Sequence, residues 1–492
     1  MTECRISGTQ SQRVGRDNGQ TTGSRMAESG VANRAQLKFV DATLYTIVMN
    51  TGLRWLPIAA AVGPAAIPLW ILALIVFFVP LATAVAELTA HFKDEGGIYV
   101  WVRDTYGPLT GFLCGWFYWF AGMPYFAGIL YFLTGLLMAA FGMDPHNKVL
   151  YLAICVGLSI VVTALQFAGL RFSKWLPNFG TVATWLIFLM LAGLAVAIAL
   201  RGTSATNFAT ASWLPHINFD TAILWGTIVF AYSGAEGVGF LRNEIEGGFK
   251  SVLRVLAILG PSIAVIYIAG TSAMLVILPA SQMTRLGGFS DTLHAVFAHA
   301  NLVGLVPFAL VFLALSQLGG FTAWFGANAR LPLAAGIDNF LPAAFAKRDE
   351  RTGAPVAALL LQGGLMIFFV LLGQAGSSAS VAYDFLVSMS ILTNSLCYVF
   401  MFAAYMKLAR SESVPGDWRP PGGARTSFIL GLTGQTATLV AIACTLVPGA
   451  DDAHPLATFL KIAVSTAVMV AAGLLLYWLG NRRRAAAALA VA

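Results

Sequence analysis

Twelve apolar segments follow one another along this chain, each near the roughly 20 residues that an α-helix needs to cross a bilayer. Their approximate spans are 37–62, 68–91, 108–141, 149–168, 176–200, 221–245, 252–278, 302–328, 355–374, 380–406, 427–448 and 455–479. In hydrocarbon every backbone N–H and C=O needs a partner within the protein, so only helices and closed barrels span it. Segments this long and this uniformly apolar read as helices. Composition agrees: 10% of the 492 residues are charged, against about 25% in soluble domains. The expected fold is an all-α integral membrane protein with twelve transmembrane helices.

Charge placement gives the orientation. With a cytoplasmic N-terminus, 24 of the 29 Lys and Arg residues fall on the cytoplasmic side. Lys148, Arg201 and Arg285 face the other side, and Arg54 and Lys461 lie within segments. Such a bias places both termini inside, in a multi-pass protein of the plasma membrane, the inner membrane in a bacterium. The +7 net charge therefore belongs to the lipid bilayer surface and does not indicate nucleic acid. Residues 1–36 are polar and lack an apolar core, which predicts a disordered tail without a signal peptide. Met26 is a plausible alternative start. Cys4, Cys114, Cys155, Cys397 and Cys444 are scattered and suggest no disulfide framework. The six His residues show no metal-ligand spacing, so neither metal nor cofactor is expected. Three stretches stand out between the segments. Residues 95–108, with Tyr99, Trp101 and Tyr106, read as an amphipathic element at headgroup level. Residues 281–300 read as an outer lid, and 411–426 as a Pro/Gly-rich linker.

Two segments are not uniform. In the first, Asn50-Thr51-Gly52-Leu53-Arg54 precedes Pro57, putting helix-weakening and polar residues at membrane depth. An Arg there usually faces a cavity or a partner. The sixth contains Phe230-Ala231-Tyr232-Ser233-Gly234-Ala235-Glu236-Gly237. The second break lies five segments after the first. Five is odd, so two five-helix halves, 37–200 and 221–406, would sit in opposite orientations. Interrupted segments at matching positions point to an inverted-repeat transporter with its site at the breaks. Unwinding frees N–H groups that suit a carboxylate and carbonyls that suit an ammonium group. The resulting arrangement is a core at 37–406, a linker at 407–426, helices eleven and twelve at 427–479 outside the core, and a tail at 480–492.

The chain resembles the amino acid–polyamine–organocation superfamily. Asn50-Thr51-Gly52-Leu53 stands where that family has a Gly-Ser-Gly-Ile-like turn, followed by Leu56-Pro57 and Gly63-Pro64. Glu87-Leu88 with Gly96-Gly97-Ile98-Tyr99-Val100-Trp101-Val102-Arg103 is similar to the glutamate/4-aminobutyrate antiporter-like and related bacterial permeases. Phe230 to Glu236 looks like the family's broken sixth helix. Ala329-Arg330-Leu331-Pro332 through Asp338, Pro342 and Gly353-Ala354-Pro355 matches its loop after helix eight. The resemblance implies that Thr51, Gly52 and Leu53 bind a substrate carboxylate, that Phe230, Ala231 and Ser233 bind its amine, and that Tyr232 gates or selects. Asn50 replaces the first Gly of the turn, at a place that asks for positive φ. Arg54 replaces an apolar or aromatic residue. Residues 244–250 lack the family's Asn-Pro-Arg-Arg, and helix five has no intramembrane Lys, Lys174 lying at its end.

Several residues admit two readings. Arg54 either snorkels or pairs with Glu236, or else it meets an acidic substrate or gates the outer side. Glu236 hydrogen-bonds the broken helix, with Gly234 beside it, or handles substrate or a coupling proton. Asp384 and Lys461 read as interfacial. Trp116, Tyr118, Trp119 and Tyr125 read as belt or core, with a pocket wall as the other reading. An enzyme would need a nucleophile–base set or paired metal ligands within the spans, and none is present. No phosphate-binding Gly-x4-Gly-Lys-Ser/Thr loop occurs. A sensor binding amino acids without net flux would carry a signalling domain. The expectation is a secondary transporter of an amino acid or related amine, working as antiporter or proton-linked symporter.

Overall fold

The computed structural model describes residues 38–92, 97–167, 175–216, 218–240, 242, 245–334, 340, 349, 351, 354–375, 378–411, 417–446 and 454–491. The tail 1–36 with Met26, Glu95, Gly96, Lys174, Glu244 and most of the loop after residue 334 lie outside them.

The described chain is helical throughout. It opens with a helix pair, α1 (Phe39–Asn50) and α2 (Trp55–Ala60), separated by residues 51–54. Then come α3 (Ala66–His91), α4 (Gly97–Tyr106), α5 (Pro108–Ala140), α6 (Lys148–Phe167) and α7 (Trp175–Leu200). A second pair, α8 (Phe219–Ala231) and α9 (Gly237–Phe240), is separated by residues 232–236. The longer helices that follow are α10 (Phe249–Ile277), α11 (Gly288–His299), α12 (Val306–Asn328), α13 (Val356–Gln374), α14 (Ala379–Ala409), α15 (Gly423–Thr445) and α16 (Pro455–Val491). Among the described residues, ten helices are long and apolar enough to cross a membrane: α3, α5, α6, α7, α10 and α12 to α16. Both interrupted pairs fall at the two expected breaks.

Helices α5 and α14 are the most buried spans and pack together at the centre. The Tyr131 hydroxyl ties α5 to α13 by donating to Val370 O (3.0 Å) and Gln374 Oε1 (2.9 Å). Helices α7 and α12 cross at Gly180 and Gly319, where a Cβ on either would strike the other helix's backbone. Small residues let helices approach closely in lipid, where apolar burial supplies little drive. Thr184 and Ser316 hydroxyls add a hydrogen bond at that crossing (2.7 Å). Ile160, Leu189 and Val468 keep exposed apolar side chains on α6, α7 and α16, as a bilayer-facing surface requires.

Neighbours add detail to three expectations. On the 95–108 element, Ile98, Tyr99, Val100, Trp101 and Val102 of α4 are buried in the protein, while Tyr106 is 43% exposed. Its apolar face meets other helices, a distinction an amphipathic pattern does not encode. The two helices expected outside the core also differ from each other. Helix α15 packs against α8, α14 and α3. Ser427 donates to Glu87 Oε2 on α3 (2.6 Å), and Arg419 pairs with Glu87 Oε1 (3.1 Å). Helix α16 keeps a long exposed face. Asp384 and Lys461 are also engaged by the protein: Asp384 pairs with Arg285 (2.9 Å), and Lys461 Nζ donates to Gly373 O (3.1 Å).

Candidate functional site

Helix α1 stops because its last turn is capped by side chains. Asn50 Nδ2 donates to Thr46 O (2.8 Å) and Thr51 Oγ1 to Ile47 O (2.7 Å). Trp324 Nε1 on α12 donates to Met49 O (2.9 Å). These bonds satisfy carbonyls that a helix end otherwise leaves orphaned. Pro57 has no N–H to return to Leu53 O, so regular helix cannot run through the turn. The break then re-enters helix by tight turns, Trp55 N–H to Gly52 O (3.2 Å) and Leu56 N–H to Leu53 O (3.1 Å).

The second break is built differently. The Ser233 hydroxyl and N–H both donate to Phe230 O (2.6 and 3.0 Å). Gly234, at φ +102°, donates its N–H to Tyr398 Oη (3.0 Å) and to Glu236 Oε2 (3.2 Å). The Tyr398 hydroxyl on α14 in turn donates to Glu236 Oε2 (2.8 Å). A side chain at Gly234 would be strained at that φ and would collide with the Asn50 side-chain oxygen. The left-handed position lies in this break. Asn50, where positive φ was expected, closes α1 in helical conformation.

One hydroxyl joins the breaks. Tyr267 Oη, from α10, accepts from Gly52 N–H (3.2 Å) and donates toward Asn50 O (3.0 Å) and Ala231 O (3.3 Å). Tyr267 is fully buried and stacks on Trp70, with ring centroids 4.5 Å apart.

A cavity of about 140 Å³ opens between the breaks, with walls from α5, α7, α12 and α14. Nine of the eleven sequence-named residues line it: Asn50, Thr51, Gly52, Arg54, Phe230, Ala231, Ser233, Gly234 and Glu236. Leu53 and Tyr232 do not. Leu53 is buried against α7 and α10. The Tyr232 ring packs on Trp70 and Phe78, and its hydroxyl donates to Trp70 O (3.2 Å). Among the α5 aromatics, Tyr118 and Tyr125 are pocket wall, whereas Trp116 and Trp119 are core. The sequence did not single out Trp324, Tyr267, Tyr398, Gln317 or Asn394. A Tyr or Trp in an apolar helix carries no mark distinguishing a site wall from core.

Arg54 and Glu236 are the charged residues among those lining the cavity. They do not pair with each other. Glu236 is taken up by Tyr398 and Gly234. Arg54, 2% exposed, lies 4.1 Å from the Trp55 ring centroid and 4.4 Å from that of Tyr125, both measured to Cζ. Neither of its terminal nitrogens meets an acceptor among the described residues. The cavity thus joins exposed backbone polarity, a buried cation and aromatic walls, on a scale below the roughly 300 Å³ where drug-sized sites begin. It suits a small polar or zwitterionic molecule.

Comparison with known proteins places the whole arrangement. Residues 37–474 match a family model described as amino acid permease. An uncharacterized transporter of Legionella pneumophila is 27% identical over 84% of this chain and 89% of its own length. The glutamate/gamma-aminobutyrate antiporter of Lactococcus lactis is 24% identical over 77% of each chain. Among solved structures, the manganese transporter of Eremococcus coleocola superposes with a TM-score of 0.56 at 11% identity. The match covers 96% of this chain and 98% of that one.

Proposed function

This chain belongs to the amino acid permease family of the amino acid–polyamine–organocation superfamily and is a multi-pass membrane transporter, not an enzyme. From that premise we propose a secondary active transporter that moves an amino acid or related amine by alternating access. Its mode is antiport or proton-linked symport. Ten of its twelve spans form a five-plus-five inverted core, 37–200 and 221–406, in which α1/α2 and α8/α9 are the broken first and sixth helices. The linker at 407–426 leads to α15 and α16, and both termini are cytoplasmic.

The observation that supports this reading best is that both breaks open on one cavity. The N–H groups of Thr51, Gly52 and Leu53 hold the substrate carboxylate at the head of α2, where the helix dipole favours an anion. The carbonyls of Phe230, Ala231 and Ser233 hold the ammonium group. Ala231 O accepts from Tyr267 in this structure and has a second lone pair to offer, whereas Phe230 O accepts from both the Ser233 hydroxyl and N–H, so the ammonium group takes the place of the hydroxyl there. Gly52 N–H now pairs with Tyr267 Oη, so carboxylate binding exchanges a neutral acceptor for a charged one, which is the stronger bond. Gly234 keeps the second break open, and Glu236, with Tyr398, sets its shape and stands where a coupling proton could be handled. The test is counterflow in proteoliposomes across a panel of amino acids and amines, with and without a pH gradient. Saturable exchange of at least one of them is expected. Binding without flux for every member would overturn the reading in favour of a sensor.

A further inference from the structure

We propose that Arg54 forms a second anion subsite beside the breaks, and that the substrate is an amino acid with an acidic side chain. The inference rests on the transport reading and names its substrate class.

A guanidinium buried to 2% exposure with no acceptor for either terminal nitrogen is costly unless an anion completes it. The Trp55 and Tyr125 rings attract the cation through their faces. Ring faces leave the in-plane N–H edge unused, and that edge is the part that matches a carboxylate bidentately.

The carboxylate that shares the cavity is committed elsewhere: Glu236 is held by Tyr398 and the Gly234 N–H. A neutral side chain on the substrate would leave the Arg54 charge uncompensated, and a cationic one would add repulsion. A side-chain carboxylate supplies a charge and two acceptors to the two terminal nitrogens. The α-carboxylate and ammonium group would remain at the two breaks, so the subsites do not compete. Phe230 packs edge-on to Trp55 (5.6 Å) and near Tyr125 (5.8 Å), giving the Arg54 cluster an apolar wall that excludes water and strengthens the pairing.

The test is concentration-dependent counterflow of L-glutamate, L-aspartate, L-glutamine, L-asparagine, 4-aminobutyrate and agmatine in proteoliposomes of the full chain. The parent is expected to prefer glutamate or aspartate over its own amide by at least tenfold in half-saturating concentration. Arg54→Met should collapse that ratio to about one, Arg54→Lys should keep part of it, and Arg54→Gln, which keeps a polar donor without the charge, should lower it several-fold. Equal handling of acids and amides by the parent overturns the subsite and leaves the transport reading intact. So does an unchanged ratio in Arg54→Gln, which decides the matter where Arg54→Met does not fold. No exchange of any panel member overturns the transport reading itself.

Discussion

Tyr267 is the residue on which the site's geometry turns, because a single hydroxyl bonds three backbone groups from two broken helices. Leaving a buried backbone donor or acceptor unpaired costs about 1–3 kcal/mol, and here the phenol serves Gly52 N–H, Asn50 O and Ala231 O together. Tyr267→Phe is therefore expected to lower stability by about 2 kcal/mol, read as a lower thermal midpoint of the purified protein in detergent. Transported substrate should recover more of that midpoint in the variant than in the parent, since its carboxylate would take the freed Gly52 N–H. Equal recovery in both would show that Tyr267 and substrate do not share that group. Glu236 separates in a similar way. Its carboxylate caps Gly234 N–H and accepts from Tyr398, and a glutamine oxygen can do both. Glu236→Gln should keep the parent's thermal midpoint closely, whereas Glu236→Ala should lose about 2 kcal/mol. The sequence located both breaks because Gly, Pro and polar residues in an apolar run are visible locally. It left open whether Arg54 and Glu236 pair, because the partners that decide this, Tyr125 and Tyr398, are distant in sequence and unremarkable within their own helices.

The helices show which packing a pattern can convey. Length and apolarity located the spans well, since the bilayer imposes both on each segment separately. Burial within the bundle is a property of neighbours. For that reason Trp101 reads as a headgroup aromatic and turns out to be buried, and α15 reads as an addition and turns out to be keyed into α3. That key makes a prediction. Glu87 is 1% exposed and relies on Ser427 and Arg419. Removing one partner of a buried pair typically costs 3–5 kcal/mol, and Arg419 is part-exposed, so Arg419→Ala should cost about 3 kcal/mol. Glu87→Gln in the same chain should restore much of the loss, because no buried charge is then left unpaired. A double-mutant cycle of thermal unfolding measures the coupling. At the α7–α12 crossing, Gly319→Val places a branched side chain against the Leu176 carbonyl and Gly180. It should destabilise by about 1–3 kcal/mol, with Gly319→Ala the milder variant in the same assay.

The molecule as a whole is asymmetric in charge, and that asymmetry acts before tertiary contacts exist. Lys and Arg in short loops resist translocation as each segment inserts, so the bias of the loops bears on topology directly, without reference to packing. The two broken helix pairs constrain topology independently. If the five segments up to α7 form one half and the five up to α14 the other, the first half must end on the side opposite to where it began. The second half starts there and returns. The second argument sets Arg201, after α7, and Arg410, after α14, on opposite sides, and the charge bias predicts which, with Arg201 outside and Arg410 inside. With Cys4, Cys114, Cys155, Cys397 and Cys444 replaced by Ser or Ala, Arg201→Cys should react with a membrane-impermeant maleimide added to intact cells. Arg410→Cys should react only once the membrane is opened. Labelling of both positions from one side would require an even number of crossings between them. An inverted pair of five-helix halves could not then hold, and the meeting of the two breaks at one cavity would need a different topological origin.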